Sequence, residues 1–264
     1  MKNSAFSHRL VFMFAIVISS VLLTGCVTSN KYQSPKARQN SVDSYVRLGM
    51  AYLEQGSRDA ARRNFEKALA IDSDSATANN GLALLYQLNG EVALSEKYYL
   101  QAIRDDADYT RARDNYGAFL YQQKRYQEAY GVFERVTEDL SYEGRAYALA
   151  NLGRTALRLD RLSQAKSLFE HSLNINSNIA IATIELAEIY FDEGNYSESK
   201  RYLDQYVRLA PRHSSRSLWL GIRLERIFGN KDKEASYVLA LKNLHPYSNE
   251  YLQYQKTLDN EQRQ

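Results

Sequence analysis

The chain has 264 residues, a quarter of them charged, with 34 Lys and Arg against 31 Asp and Glu and a formal net charge of +3. So even a balance leaves no electrostatic footprint for nucleic acid, and a single cysteine excludes an internal disulfide framework and paired-cysteine metal sites. Only three prolines and twelve glycines interrupt a composition rich in Ala, Leu, Glu, Arg, Gln and Tyr, which is a helical composition.

At the start, Lys2 and Arg9 flank a stretch with no acidic residue, and an apolar run, LVFMFAIVISSVLL, follows over 10–23. A membrane span needs roughly 20 apolar residues, so the shorter run reads as the apolar region of an export signal. Leu23-Thr24-Gly25-Cys26 then resembles a bacterial lipobox at all four positions. That resemblance implies cleavage before Cys26, a diacylglycerol on its sulfur and an acyl chain on its new amino group. Lipidation also accounts for a lone thiol in an exported chain. Val27, in place of Asp, implies by the same resemblance sorting to the outer membrane, facing the periplasm. Without residues 1–25 the chain carries 32 basic and 31 acidic residues.

Residues 26–41, VTSNKYQSPKARQNS after the cysteine, are polar, contain Pro35 and lack a helical period. They read as a flexible tether, which at about 3.3 to 3.6 Å per residue reaches about 50 Å.

Over 42–246 the sequence repeats. RLGMAYLEQGSRDAARRNFEKAL from Arg47 is followed by in-register segments from Gly81, Asn115, Asn151, Glu185 and Trp219. Each has a small residue, at Gly49, Ala83, Gly117, Gly153, Ala187 and Gly221, at intervals of 34, 34, 36, 34 and 34 residues. A second, B-helix set supplies small residues at Ala61, Ser95, Ala129, Ala165 and Ser199, with Lys233 a departure. Its bulky residues are Phe65, Tyr99, Phe133, Phe169, Leu203 and Tyr237. Period and pattern resemble the tetratricopeptide repeat. The fold implied is all-α: a right-handed solenoid of about six helix pairs. Its small positions let helix B approach helix A, and its stacked neighbours bury each other's faces. Gly56, Gly90 and Gly194 recur where helix A must end, a place that suits φ > 0. Residues 247–264 supply a capping helix and tail, since a stack needs a polar end.

Many of the 21 tyrosines fall on core positions of the repeat. The concave face implied by the resemblance carries Val46, Met50, Leu53, Asn80, Leu84 and Leu88 in the first two repeats, then Tyr121, Tyr147, Leu157, Ile184 and Phe191. This is an apolar stripe, and exposed apolar stripes mark interaction sites. Lys and Asn at early positions would imply a clamp for peptide C-termini; Val46 and Met50 stand there instead, so no such clamp is expected. The cluster RDDADYTRARD, 104–114, lies at an inter-repeat turn and reads as surface open to a partner.

Enzyme chemistry has little support. His8, His171, His213 and His245 are scattered, and no H-E-x-x-H, G-x-S-x-G, Walker A or G-x-G-x-x-G occurs. No metal, no cofactor beyond the lipid on Cys26, and no small-molecule substrate is expected. Lipobox, tether and six repeats in that order resemble the pilotin lipoproteins of type IV pilus biogenesis, the PilF/PilW family. The resemblance implies an outer-membrane adaptor that binds a secretin subunit through the groove and promotes its assembly. A lipid-anchored scaffold for peptidoglycan enzymes is the alternative.

Overall fold

The computed structural model describes residues 34–210 and 212–262. The export signal, Cys26 and most of the expected tether lie outside these residues, as does Pro211. The described chain is all-helical. It comprises α1 (Pro35–Glu54), α2 (Arg58–Ile71), α3 (Ala76–Asn89), α4 (Val92–Asp105), α5 (Thr110–Gln122), α6 (Tyr126–Glu138) and α7 (Arg145–Arg158). It continues with α8 (Leu162–Ile175), α9 (Ala180–Asp192), α10 (Tyr196–Leu209), α11 (Ser215–Ile227), α12 (Lys231–Leu244) and α13 (Asn249–Gln262). Odd and even helices pair through α12, and each pair packs on the next to form the tetratricopeptide solenoid.

Packing within each pair follows the small and bulky positions read from the sequence. A Cβ added to Gly153 would lie 2.7 Å from Phe169 Cε1, and one on Gly117 would lie 2.8 Å from Phe133 Cε1. Phe65 meets both Gly49 and Gly81 in this way. Where helix A carries alanine instead, helix B carries serine at its small position. Ser95 Oγ donates to the Ala83 carbonyl at 2.9 Å and Ser199 Oγ to the Ala187 carbonyl at 2.7 Å. In the fifth pair the bulky residue is also smaller, Leu203. The fifth pair thus combines a larger residue on helix A with a smaller filler on helix B, as close packing allows, whereas the second keeps the buried ring of Tyr99 beside Ala83.

Helix A ends as expected at Gly56, Gly90 and Gly194, with φ of 75°, 77° and 76°. Lys124 and Asp160 occupy the same turn in the third and fourth pairs and take φ of 61° and 59°. Two non-glycine residues thus take a conformation that local preference disfavours, within turns closed by Arg125 N to the Leu120 carbonyl at 3.0 Å and Arg161 N to the Ala156 carbonyl at 2.9 Å.

Two ends differ from the middle. The tether expected to run to Ser41 is shorter, because α1 begins at Pro35. Ser34 Oγ accepts from the Ala37 amide at 3.2 Å, and a proline in the first turn lacks only an N–H that has no helical partner there. Arg38 Nε donates to the Ile71 carbonyl at 2.8 Å, and Val42 packs with Ala68 and Ala78. Pro35 is thus a helix start rather than a linker mark. Leu48, whose equivalents Leu82, Leu152, Leu186 and Leu220 are at most 3% exposed, is 48% exposed. Among the described residues no helix precedes α1 to cover it. At the other end α13 caps the stack: Tyr251 and Tyr254 pack against Leu218, Ile222 and Leu241, and Tyr254 meets Trp219 edge-on at 6.5 Å.

Candidate partner-binding groove

The first helices of the first three pairs, α1, α3 and α5, place one open cleft of about 410 Å³ on the concave side. Val46 and Met50 from α1 and Leu84 from α3 form its apolar floor. Thr77, Asn80, Tyr109, Arg111 and Asn115 form a polar rim, and Tyr142 closes one side. Met50 and Leu84 are half-buried against the packed interior, so the floor is both anchored and reachable.

Two amides meet across α3 and α5. Asn115 Nδ2 donates to Asn80 Oδ1 at 3.0 Å. The remaining Asn80 N–H and Asn115 carbonyl oxygen make no hydrogen bond among the described residues.

Tyr142 comes from the turn between α6 and α7, residues 139–144, the place where the repeat interval is 36 rather than 34. Asp139 organises that turn: its carboxylate accepts from Thr110 Oγ1 at 2.5 Å and from Ser141 N and Oγ at 3.0 and 2.7 Å. Those bonds hold its pKa below the usual carboxylate range. Gly144 leaves room for the ring, since a Cβ there would sit 2.6 Å from Tyr142 Cε1. The Tyr142 hydroxyl donates to Asp114 Oδ2 at 2.9 Å. Asp114 Oδ1 is buried without a partner, and burial raises the Asp114 pKa against the opposing effects of the Tyr142 bond and the Arg111 charge. Burial and then the Asp114 charge raise the Tyr142 pKa.

Of the groove residues expected from the sequence, the structure brings Val46, Met50, Asn80 and Leu84 together and leaves four outside the cleft. Leu53 packs inward beside Phe65 and Leu82, Leu88 is exposed beyond the rim, and Tyr147 is exposed on α7. Tyr121 is covered, with Tyr126 edge-on at 5.2 Å and the Arg154 guanidinium 4.9 Å above its ring. The apolar stripe does not continue into the later repeats. Ile184 is buried, and Phe191 lies under the Arg223 guanidinium at 4.2 Å. Arg223 in turn bonds Glu188 at 2.9 Å, and Arg216 bridges Glu185 and Glu188. Charge covers the aromatic face there.

Sequence reasoning missed Thr77, Tyr109, Arg111, Asn115 and Tyr142. Two signals pointed toward them: Tyr109 and Arg111 belong to the charged cluster at 104–114, and the long 36-residue interval marks the turn that carries Tyr142. Among the described residues no group of three or more His, Cys, Asp or Glu is placed to hold a metal ion. No described helix is long and apolar enough to cross a membrane.

The tetratricopeptide repeat family models match residues 38–90, 85–143, 146–179 and 184–213. Over 249 residues the chain is 39% identical to the type IV pilus assembly protein PilF of Pseudomonas aeruginosa, an alignment covering 93% of this chain and 96% of that protein. The chain belongs to the PilF family. A solved structure of P. aeruginosa PilF superposes with a TM-score of 0.81 at 38% identity, over 83% of this chain and 99% of that one. PilW, described as a widely conserved type IV pilus biogenesis factor, shares the fold, with a TM-score of 0.69 at 23% identity over 81% of this chain and 97% of its own. The cleft of α1, α3 and α5 is therefore a feature of a PilF-family tetratricopeptide protein of type IV pilus biogenesis.

Proposed function

We propose that the chain is a non-enzymatic, lipid-anchored adaptor that binds a secretin subunit through this cleft and promotes its assembly in the outer membrane. The observation that carries the reading is the cleft itself, an apolar floor with a polar rim on a tetratricopeptide scaffold of the PilF family. On a tetratricopeptide scaffold, whose concave faces bind extended protein surfaces, an apolar floor with a polar rim fits a protein segment.

The anchor is Cys26. Each buried CH₂ contributes about 0.8 kcal/mol, and stable attachment takes more than one chain, which a diacylglycerol plus an N-acyl group provides. Only eight residue steps separate Cys26 from Ser34, a reach of at most about 28 Å. The repeats are then held within one protein diameter of the lipid surface. A subunit bound in the cleft is presented to the membrane at high effective concentration without any contact of its own with lipid.

Co-purification tests this. Wild-type protein solubilised from the envelope should recover a secretin, and Cys26→Ser should recover unassembled secretin while losing the outer-membrane fraction. Met50→Glu with Leu84→Glu should keep its helical content and lose the secretin. Recovery of peptidoglycan enzymes without secretin would replace the proposed partner. Undiminished binding by the doubly charged variant would remove the cleft from the argument.

A further inference from the structure

Resting on that reading, we infer that the cleft is specific for an extended segment bearing an apolar side chain and, beside it, an Asp or Glu whose carboxylate is received by Arg111. Arg111 is the one cation among the cleft's lining residues, which include no acid. It is exposed and makes no ion pair or hydrogen bond among the described residues. Arg58, Arg63, Arg135, Arg208 and Arg212 are likewise exposed without an ion pair among the described residues, so what sets Arg111 apart is its place on the cleft. Asp114, three residues on, bonds Tyr142 and makes no ion pair with the guanidinium. A planar fork of donors suits a carboxylate.

The segment's backbone has a complement as well. The unbonded Asn80 NH2 group and Asn115 carbonyl oxygen, on amides joined by one hydrogen bond, supply a donor and an acceptor, which match the carbonyl and N–H of an extended peptide. A helix presents neither group to its surroundings except at its ends, so the amide pair favours an extended occupant. Val46, Met50 and Leu84 lie below as the seat for the apolar side chain. Tyr142, fixed by Asp114 and by the Asp139 turn, limits the segment on the α7 side. An acidic side chain, rather than a chain terminus, is the fitting source of the carboxylate, because Val46 and Met50 stand where a clamp for peptide C-termini would need Lys and Asn.

Peptide binding measured by fluorescence anisotropy tests the inference, using the full chain purified in detergent. The probes are nine-residue extended peptides containing Leu or Phe next to Glu, the same peptides with Gln for Glu, and each with a free or amidated carboxy terminus. The Glu peptides should bind more tightly than the Gln peptides by about three- to fivefold, the range of a solvent-accessible ion pair, and amidation should change nothing. Arg111→Gln should abolish that preference, Arg111→Glu should reverse it for a Lys-containing peptide, and Arg111→Lys should retain part of it. Met50→Glu separates the two readings. If it removes all peptide binding while Arg111→Gln weakens Glu and Gln peptides equally, the cleft stands and the acidic specificity fails. If Met50→Glu changes nothing, the cleft itself is not the site. A preference that depends on the free carboxy terminus, or an absence of binding to every peptide, would overturn the extended acidic segment.

Discussion

Replacing Gly153 with alanine should destabilise the fourth helix pair, and replacing Phe169 with leucine in the same chain should recover much of the loss. The new Cβ would stand 2.7, 2.9 and 3.0 Å from Cε1, Cδ1 and Cζ of Phe169. Carbon atoms in contact prefer about 3.5 to 4.0 Å, so the ring must retreat by about 1 Å. It cannot do so freely, because Phe169 is fully buried with Ala165 and Ala182 in the central core. Overpacking of this kind costs about 1 to 3 kcal/mol. Against it stands the gain from removing a glycine inside α7, about 1 kcal/mol. A net loss of about 1 kcal/mol is expected, or about 2 to 4 °C in Tm for a chain of this length. Phe169→Leu alone leaves a void and should cost about 1 to 2 kcal/mol, well below the loss for truncation to alanine. Together the two changes reproduce the combination of the fifth pair, Ala187 with Leu203. The coupling between them should be favourable by about 1 kcal/mol or more. Urea unfolding followed by circular dichroism on all four proteins of the cycle measures it, with Trp219 fluorescence reporting whether the sixth pair melts with the rest. Additive effects of the two substitutions would refute the account of small and bulky residues as matched across the seam.

Leu48→Ala should cost under about 0.5 kcal/mol and Leu152→Ala about 2 to 5 kcal/mol, although both occupy the same repeat position. Equal losses in thermal melts would mean that α1 is covered. Lys200→Met should destabilise the last two pairs by about 3 to 5 kcal/mol, because Glu225 is 2% exposed in its side chain and keeps only Asn230 as partner; a C-terminal melting transition that stays in place counts against it. Burial opposes the ionisation of Glu225, but bonds from Lys200 and Asn230 outweigh it and leave the pKa lowered. Its contribution is therefore complete above the unfolded pKa and disappears as pH falls through the folded one. Asp114 has the opposite sign: burial raises its pKa, so the folded state bears a penalty above that pKa which fades as pH falls toward about 4. Asp114→Asn should be more stable than wild type at pH 7 and equal to it at about pH 3.5; a variant less stable at pH 7 would show that the charge is needed.

What the sequence by itself determined was the array. Small residues at intervals of 34 or 36 and bulky residues in the following helix, each repeated six times, and glycines at some of the turns between them are local requirements met mainly by the nearest neighbours. They locate the seams at Gly49, Gly117 and Gly153 and the turns at Gly56, Gly90 and Gly194 without a structure. The same local reading misplaced the start of α1, since Pro35 suits both a linker and a first helical turn, and only the contact of Arg38 and Val42 with α2 separates them. Tertiary structure decided the candidate site. Two of the expected groove residues are withdrawn from it by partners distant in sequence: Arg154 covers Tyr121, and Arg223 covers Phe191 in the adjoining repeats. The residues that complete the cleft enter in the same way. Tyr142 crosses to Asp114, 28 positions earlier, and Asn115 reaches Asn80, 35 positions earlier. A helix period fixes which face of its own helix a side chain occupies. Where a long turn runs, and which arginine lies over which ring, depends on how the pairs stack, and that stacking places Arg111 alone beside an open apolar floor.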